Sequence, residues 1–107
     1  MRVLLDECVD SRLAREITGH LVSTARDMQW VGLKNGELLS HVSQQFDVFV
    51  TVDRNLAFQQ NLGIYQIAVV ILRAPTNRLA DVRPLVPELL RLLNGPIESR
   101  LFEIGPR

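Results

Sequence analysis

The sequence predicts an α/β fold with a mostly parallel sheet of four to five strands, and three observations carry that prediction. Residues 3–5, 47–52 and 67–72 are near-continuous apolar runs, the composition of strands covered on both faces. Between them lie stretches with apolar residues at helical spacing. The two kinds of segment alternate, which right-handed crossovers close into a parallel sheet.

Taken in order, Val3, Leu4 and Leu5 form the first strand, which ends at Asp6. Asp10 is placed to cap a short helix with Leu13 and Ile17 on its inner face and Gly19 closing it. Residues 20–24 read as a second strand, and residues 27–35 as a loop that folds Trp30 and Val31 back onto the core. Asn35 is the expected N-cap of a helix carrying Leu38, Leu39, Val42 and Phe46. The third strand, residues 47–52, stops at Asp53, and residues 56–62 suggest a short helix or turn. The fourth strand, 67–72, is dominated by β-branched residues. A last helix falls within residues 79–93, where Pro84 and Pro87 demand a late start or a kink, and Asn94, Gly95 and Pro96 end it. Residues 100–104 alternate as an edge strand does.

The 107 residues fit a single domain, 1–107, long enough to bury a core without staples. Hydrophobic residues at 47% and charged residues at 22% exclude a disordered chain. Twelve basic and twelve acidic side chains cancel, which argues against a non-specific nucleic-acid coat protein. Cys8 is the only cysteine, so neither an internal disulfide nor a cysteine-based zinc site can form, and it is expected as an inert core thiol. No run approaches the roughly 18 apolar residues of a membrane span, and the first apolar run is too short for a signal peptide. A cytoplasmic protein is expected.

In open parallel sheets, ligands bind outside the carboxyl ends of the strands. Asp6, Glu7 and Asp53 fall there by sequence position. Converging carboxylates repel unless a cation, an arginine or shared protons offset them. Hard oxygen donors suit Mg²⁺ or Mn²⁺, and the chemistry such an ion supports is phosphodiester hydrolysis. Glu37, in the first turn of the second helix, either reaches the same edge or serves only the helix dipole. Thr51 is placed to bond a carboxylate or its water. Arg26, Lys34, Arg54 and Arg73 lie at or near this edge, where they hold phosphates or simply neutralise the acids. His20 and His41 lack ligand spacing and read as structural. Trp30 and Phe58 read as packing residues before base-stacking ones.

Three segments resemble the small PIN-like proteins, compact relatives of PIN-domain ribonucleases and VapC-type toxins. They are Leu4, Leu5, Asp6, Glu7; Asn35, Gly36, Glu37, Leu38, Leu39; and Val50, Thr51, Val52, Asp53, Arg54, Asn55, Leu56. Their order and spacing carry the likeness over nearly the whole chain. The resemblance implies a three-layer α/β/α sandwich and a Mg²⁺- or Mn²⁺-dependent endoribonuclease. Asp6 matches the family's first-strand acid and Asp53 the acid of its Thr-x-Asp segment, with Glu7 and Glu37 completing the metal site. Arg54, Arg73, Arg26, Asn55 and Thr51 are then the residues expected to contact RNA. The family's usual helix-opening Asp is Asn35 here, and its late acids have no counterpart. A small antitoxin partner and a homodimer are further implications of the resemblance.

Two other functions fit parts of the pattern. A receiver-type phospho-acceptor domain also places acids after strands one and three, but Lys34 is the chain's only lysine and none follows the last strand. A catalytically weak module that binds RNA or protein fits the Asn35 departure and the zero net charge.

Overall fold

The computed structural model describes residues 1–56 and 64–105. In chain order the elements are β1 (Arg2–Leu5), a 3₁₀ helix (Ser11–Glu16), β2 (Leu21–Thr24), α1 (Asn35–Gln45), β3 (Val48–Thr51), β4 (Ala68–Leu72), α2 (Leu79–Val82), a 3₁₀ turn (Arg83–Leu85), α3 (Val86–Leu93) and β5 (Leu101–Ile104). The five strands form one sheet in the order β2-β1-β3-β4-β5, and every pairing is parallel. This is the doubly wound order whose ligand crevice opens between the first and third strands.

The inner strands β1, β3 and β4 are almost wholly apolar because both sheet faces are covered there. Val3 and Leu5, Val48 and Val50, and Ala68, Val70 and Leu72 point to one face, where Leu13 and Ile17 meet Val82, Val86, Leu89 and Leu93. Leu4, Phe49 and Val69 point to the other, against Leu38, Leu39 and Val42 of α1. Each buried Val, Leu, Ile or Phe among them contributes about 1.5–3 kcal/mol by leaving water. The period of two along the strands and the helical spacing of the covering residues thus lock the register.

One crossover departs from expectation. The β1-to-β2 connection and the β4-to-β5 connection cover the same face of the sheet, yet they step in opposite directions along it. They are therefore of opposite hand. The β2-to-β3 connection steps the other way on the other face and shares the hand of the first. A uniformly right-handed set of crossovers, the expectation for parallel units, is not what the chain adopts. The result is that α2 and α3 lie beside the first 3₁₀ helix, with Arg83 bridging to Glu16 at 2.9 Å and His20 meeting Asn94 at 3.0 Å.

Local details follow sequence chemistry with several corrections. Asp10 caps the first 3₁₀ helix by accepting from the Arg12 amide, and Gly19 takes the left-handed conformation (φ +84°) that closes the turn. The expected N-cap Asn35 is instead the first residue of α1. Lys34 holds the extended cap position, and its carbonyl accepts the first helical bond from Leu38. Val31 is 48% exposed rather than folded onto the core, whereas Trp30 packs there and stacks on His41 at 5.5 Å. The segment 79–93 is broken as its prolines require, with Pro84 in the 3₁₀ turn and Pro87 in the first turn of α3. Gly105 is obligatory, because a Cβ there would sit 2.9 Å from the Arg73 carbonyl oxygen. Phe58 and nearly all of the suggested 56–62 helix lie outside the described residues. No helix among the described residues is long and apolar enough to cross a membrane.

Candidate functional site

The carboxyl edge of β1 and β3 is tied together before any side chain acts. The Asp6 amide still donates to the Val50 carbonyl at 2.9 Å, so Asp6 leaves the sheet directly beside β3. The residue is only 8% exposed, and its carboxylate has three donors. Oδ1 accepts from the Glu7 amide at 2.8 Å, and Oδ2 accepts from the Thr51 hydroxyl at 2.8 Å and the Cys8 thiol at 3.3 Å. Neutral donors thus hold a buried carboxylate without an arginine, which is how a polar group survives burial.

Thr51, fully buried, is the hinge of the arrangement. Its hydroxyl donates to Asp6 and accepts from the Asp53 amide at 3.1 Å, so one oxygen joins the two acid-bearing segments. β3 ends at Thr51, a residue earlier than the sequence suggests, and this freedom lets the backbone of Asp53 turn back. Asp53 itself is half-buried. Its Oδ1 accepts from the Asn55 amide at 2.9 Å, a side-chain-to-backbone turn that fixes the loop.

Cys8, expected among apolar neighbours, packs half-buried against the core and also reaches the site, 3.4 Å from Thr51 Oγ1. Burial pushes its thiol up, and the neighbouring Asp6 charge adds to this against the opposing Thr51 bond. The thiol therefore stays protonated at neutral pH and serves as a donor. The signal that could have found it is its position just past the strand end.

The two acids open on different depressions. Asp6 lines one of about 280 Å³ with Glu7, Asp10, Thr24 and Arg26. Asp53 lines one of about 380 Å³ with Arg54, Asn55 and Thr76. Arg26, exposed beside Asp6, is the best placed of the expected phosphate-holding arginines. Arg54 is turned to the end of β4, donating to the Ala74 carbonyl at 2.6 Å, and Arg73 pairs with Glu103 at 3.5 Å. Glu37 is exposed in the first turn of α1 and lines neither depression, and Lys34 is exposed at its start. Among the described residues no group of three or more His, Cys, Asp or Glu is gathered to hold a metal. Of the four expected acids, Asp6 and Glu7 line one depression, Asp53 lines the other, and Thr51 links the Asp6 carboxylate to the Asp53 backbone amide.

His20 is held between the N-terminal amine and Asn94, and His41 lies against Trp30, both in structural roles. Asp10, on the rim of the Asp6 depression, is held down to about 2 by hydrogen bonds from Arg12.

The chain matches no protein-family model, and comparison with curated proteins and with solved structures gives no significant match.

Proposed function

We propose that this chain is a PIN-like endoribonuclease dependent on Mg²⁺ or Mn²⁺, built as a three-layer α/β/α sandwich. The observation that carries the reading is the Asp6–Thr51–Asp53 connection at the crevice between β1 and β3. Acids that follow adjacent parallel strands, with one buried hydroxyl bonded to the Asp6 carboxylate and to the Asp53 backbone amide, offer hard oxygen donors at one edge of the sheet. Two carboxylates suffice for Mg²⁺, which keeps several waters and completes its shell with substrate phosphate. Asp6 and Asp53 would hold the ion, which when bound would lower the pKa of a water and stabilise the charged transition state.

The chain's own residues account for the rest. Thr51 and Cys8 orient the Asp6 carboxylate, the Asn55 amide orients that of Asp53, and Arg26 offers a fork to a phosphate beside Asp6. Glu7, which lines the Asp6 depression, and Glu37, in the first turn of α1, would complete the acidic site. The family resemblance extends the proposal to a cytoplasmic toxin restrained by a small antitoxin, with homodimerisation as part of the assembly.

A second reading has its own support. The carboxylates open on separate depressions, which suits a catalytically weak module that binds RNA or protein. A receiver domain shares the strand order, but Asp53 lies beyond the end of β3 and the only lysine is in the loop before α1.

The deciding experiment is cleavage of a labelled single-stranded RNA pool with Mn²⁺ or Mg²⁺, beside identically purified Asp53→Asn protein. The nuclease reading expects cutting by the wild type alone, abolished by EDTA. Equal cutting by both proteins, or none by either, removes it and leaves the binding module.

A further inference from the structure

Beside the Asp6 depression lies a second one of about 510 Å³, lined by Arg12, Arg78 and Arg83 together with Asp10, Leu79 and Ala80. Asp10 lines both, so the two depressions adjoin at that residue. We propose that this arginine-lined arm binds the phosphodiester backbone of single-stranded RNA and leads it to Asp6. The inference rests on the nuclease reading for its direction and on the arginines for its chemistry.

The arginines come from distant parts of the chain. Arg12 follows β1, whereas Arg78 and Arg83 follow β4. They meet only because the β4-to-β5 connection covers the same face as the β1-to-β2 connection, the opposite-handed crossover described above. With the usual hand, Arg78 and Arg83 would lie across the sheet from Arg12. The unusual topology therefore assembles this surface.

The donors remain available. Arg12 uses Nε and Nη2 on Asp10, and its side chain is 69% exposed. Arg83 donates to both Glu16 oxygens through Nε, and its side chain is 56% exposed. The Arg78 side chain makes no ion pair among the described residues and is exposed. Guanidinium forks match phosphate oxygens in pairs. Pairing with Arg12 also neutralises Asp10, the acid shared by the two depressions. The sparse apolar lining, Leu79 and Ala80, favours a backbone-tracking contact over a helix docked by its apolar face.

The test is fluorescence anisotropy of a short labelled single-stranded RNA in EDTA, which separates binding from catalysis. Wild type is compared with Arg78→Gln and with a triple variant in which Arg12, Arg78 and Arg83 are all Gln. Several-fold weaker binding is expected for Arg78→Gln and at least tenfold for the triple variant. The slope of log affinity against log salt should become shallower by about 0.7 for each phosphate that a variant no longer neutralises. No RNA binding by folded wild type, or wild-type affinity and slope in the triple variant, would overturn the inference even if RNA cleavage is intact. Arginine-dependent binding without any cleavage would sustain it while the nuclease reading falls. Equal displacement of RNA by polyglutamate and by polyphosphate, at matched charge, would also overturn it, assigning the arm to an acidic protein partner. Circular dichroism checks folding. Should the triple variant unfold, Arg78→Gln and Arg78→Lys decide, since Arg78 makes no ion pair among the described residues whose removal would disturb the fold. Retained binding in Arg78→Lys with loss in Arg78→Gln is then the supporting result, and full binding by both is the contrary one.

Discussion

Asp6 and Asp53 follow neighbouring strands and share one hydroxyl, but they are built differently. Asp6 is buried with both oxygens engaged by three donors, whereas Asp53 is half-exposed with one oxygen engaged by a nearby amide. The contrast separates two kinds of functional acid. Asp6 is part of the fold, because its removal strands donors from three residues. Asp53 is mounted on a loop turn and can change chemically at little structural expense. Loss of activity in an Asp6 variant thus mixes folding with chemistry, and only Asp53 isolates the chemistry.

The largest expected effect is that of Asp6→Ala. It leaves the Glu7 amide, the Thr51 hydroxyl and the Cys8 thiol without their acceptor and should lower stability by about 2–4 kcal/mol, from about 1–3 kcal/mol per buried group left unsatisfied. Urea denaturation measures it; a drop no larger than that of an exposed substitution would mean Asp6 is not part of the frame.

Thr51→Val comes next. It keeps the β-branched shape but removes the hydroxyl joining the acids, at about 1–2 kcal/mol. RNA cleavage should fall at least tenfold with the fold intact by circular dichroism, and unchanged cleavage would sever the proposed link between the two segments.

Asp53→Asn should change stability by no more than about 0.5 kcal/mol, the range of surface substitutions, while abolishing cleavage. A drop comparable to that of Asp6→Ala would erase the distinction drawn between the acids.

The smallest effect concerns the rim of the Asp6 depression. Asp10 is held at about 2 against an ordinary 3.8, with Arg12 hydrogen bonds as the chief cause. A lowered folded-state pKa means that the unfolded chain binds more protons across this window. The stabilisation is therefore full above 3.8 and disappears as pH falls through about 2. Asp10→Asn should lower the urea midpoint at neutral pH, and the gap from wild type should close on acidification through that window. A gap that widens instead would contradict the assigned cause.

Much of this is legible in the sequence, for local reasons. The runs at Val3–Leu5 and Val48–Val50 suit only two-sided strands, and the acids following them emerge at the carboxyl edge. Pro84 and Pro87 announce the break before α3. What the sequence hides depends on tertiary placement. The Asp6–Thr51 bond joins residues 45 apart, and its existence turns on the register of β1 against β3. Cys8 reads as apolar because its Thr51 partner lies across that register. The opposite-handed crossover runs against the strongest topological prior, so Arg12, Arg78 and Arg83 cannot be grouped from the chain alone. Asn35 falls one residue inside its helix because Lys34, a weaker capping type, takes the extended conformation there.

A metal site shared by Asp6 and Asp53 is tested by Mn²⁺ binding, in an equilibrium titration followed by electron paramagnetic resonance of the free ion. Saturable binding is expected in the wild type, displaced by Mg²⁺, strongly weakened in Asp53→Asn and partly weakened in Thr51→Val. Absence of binding by folded wild-type protein, or equal binding by Asp53→Asn, would contradict a shared metal site at Asp6 and Asp53.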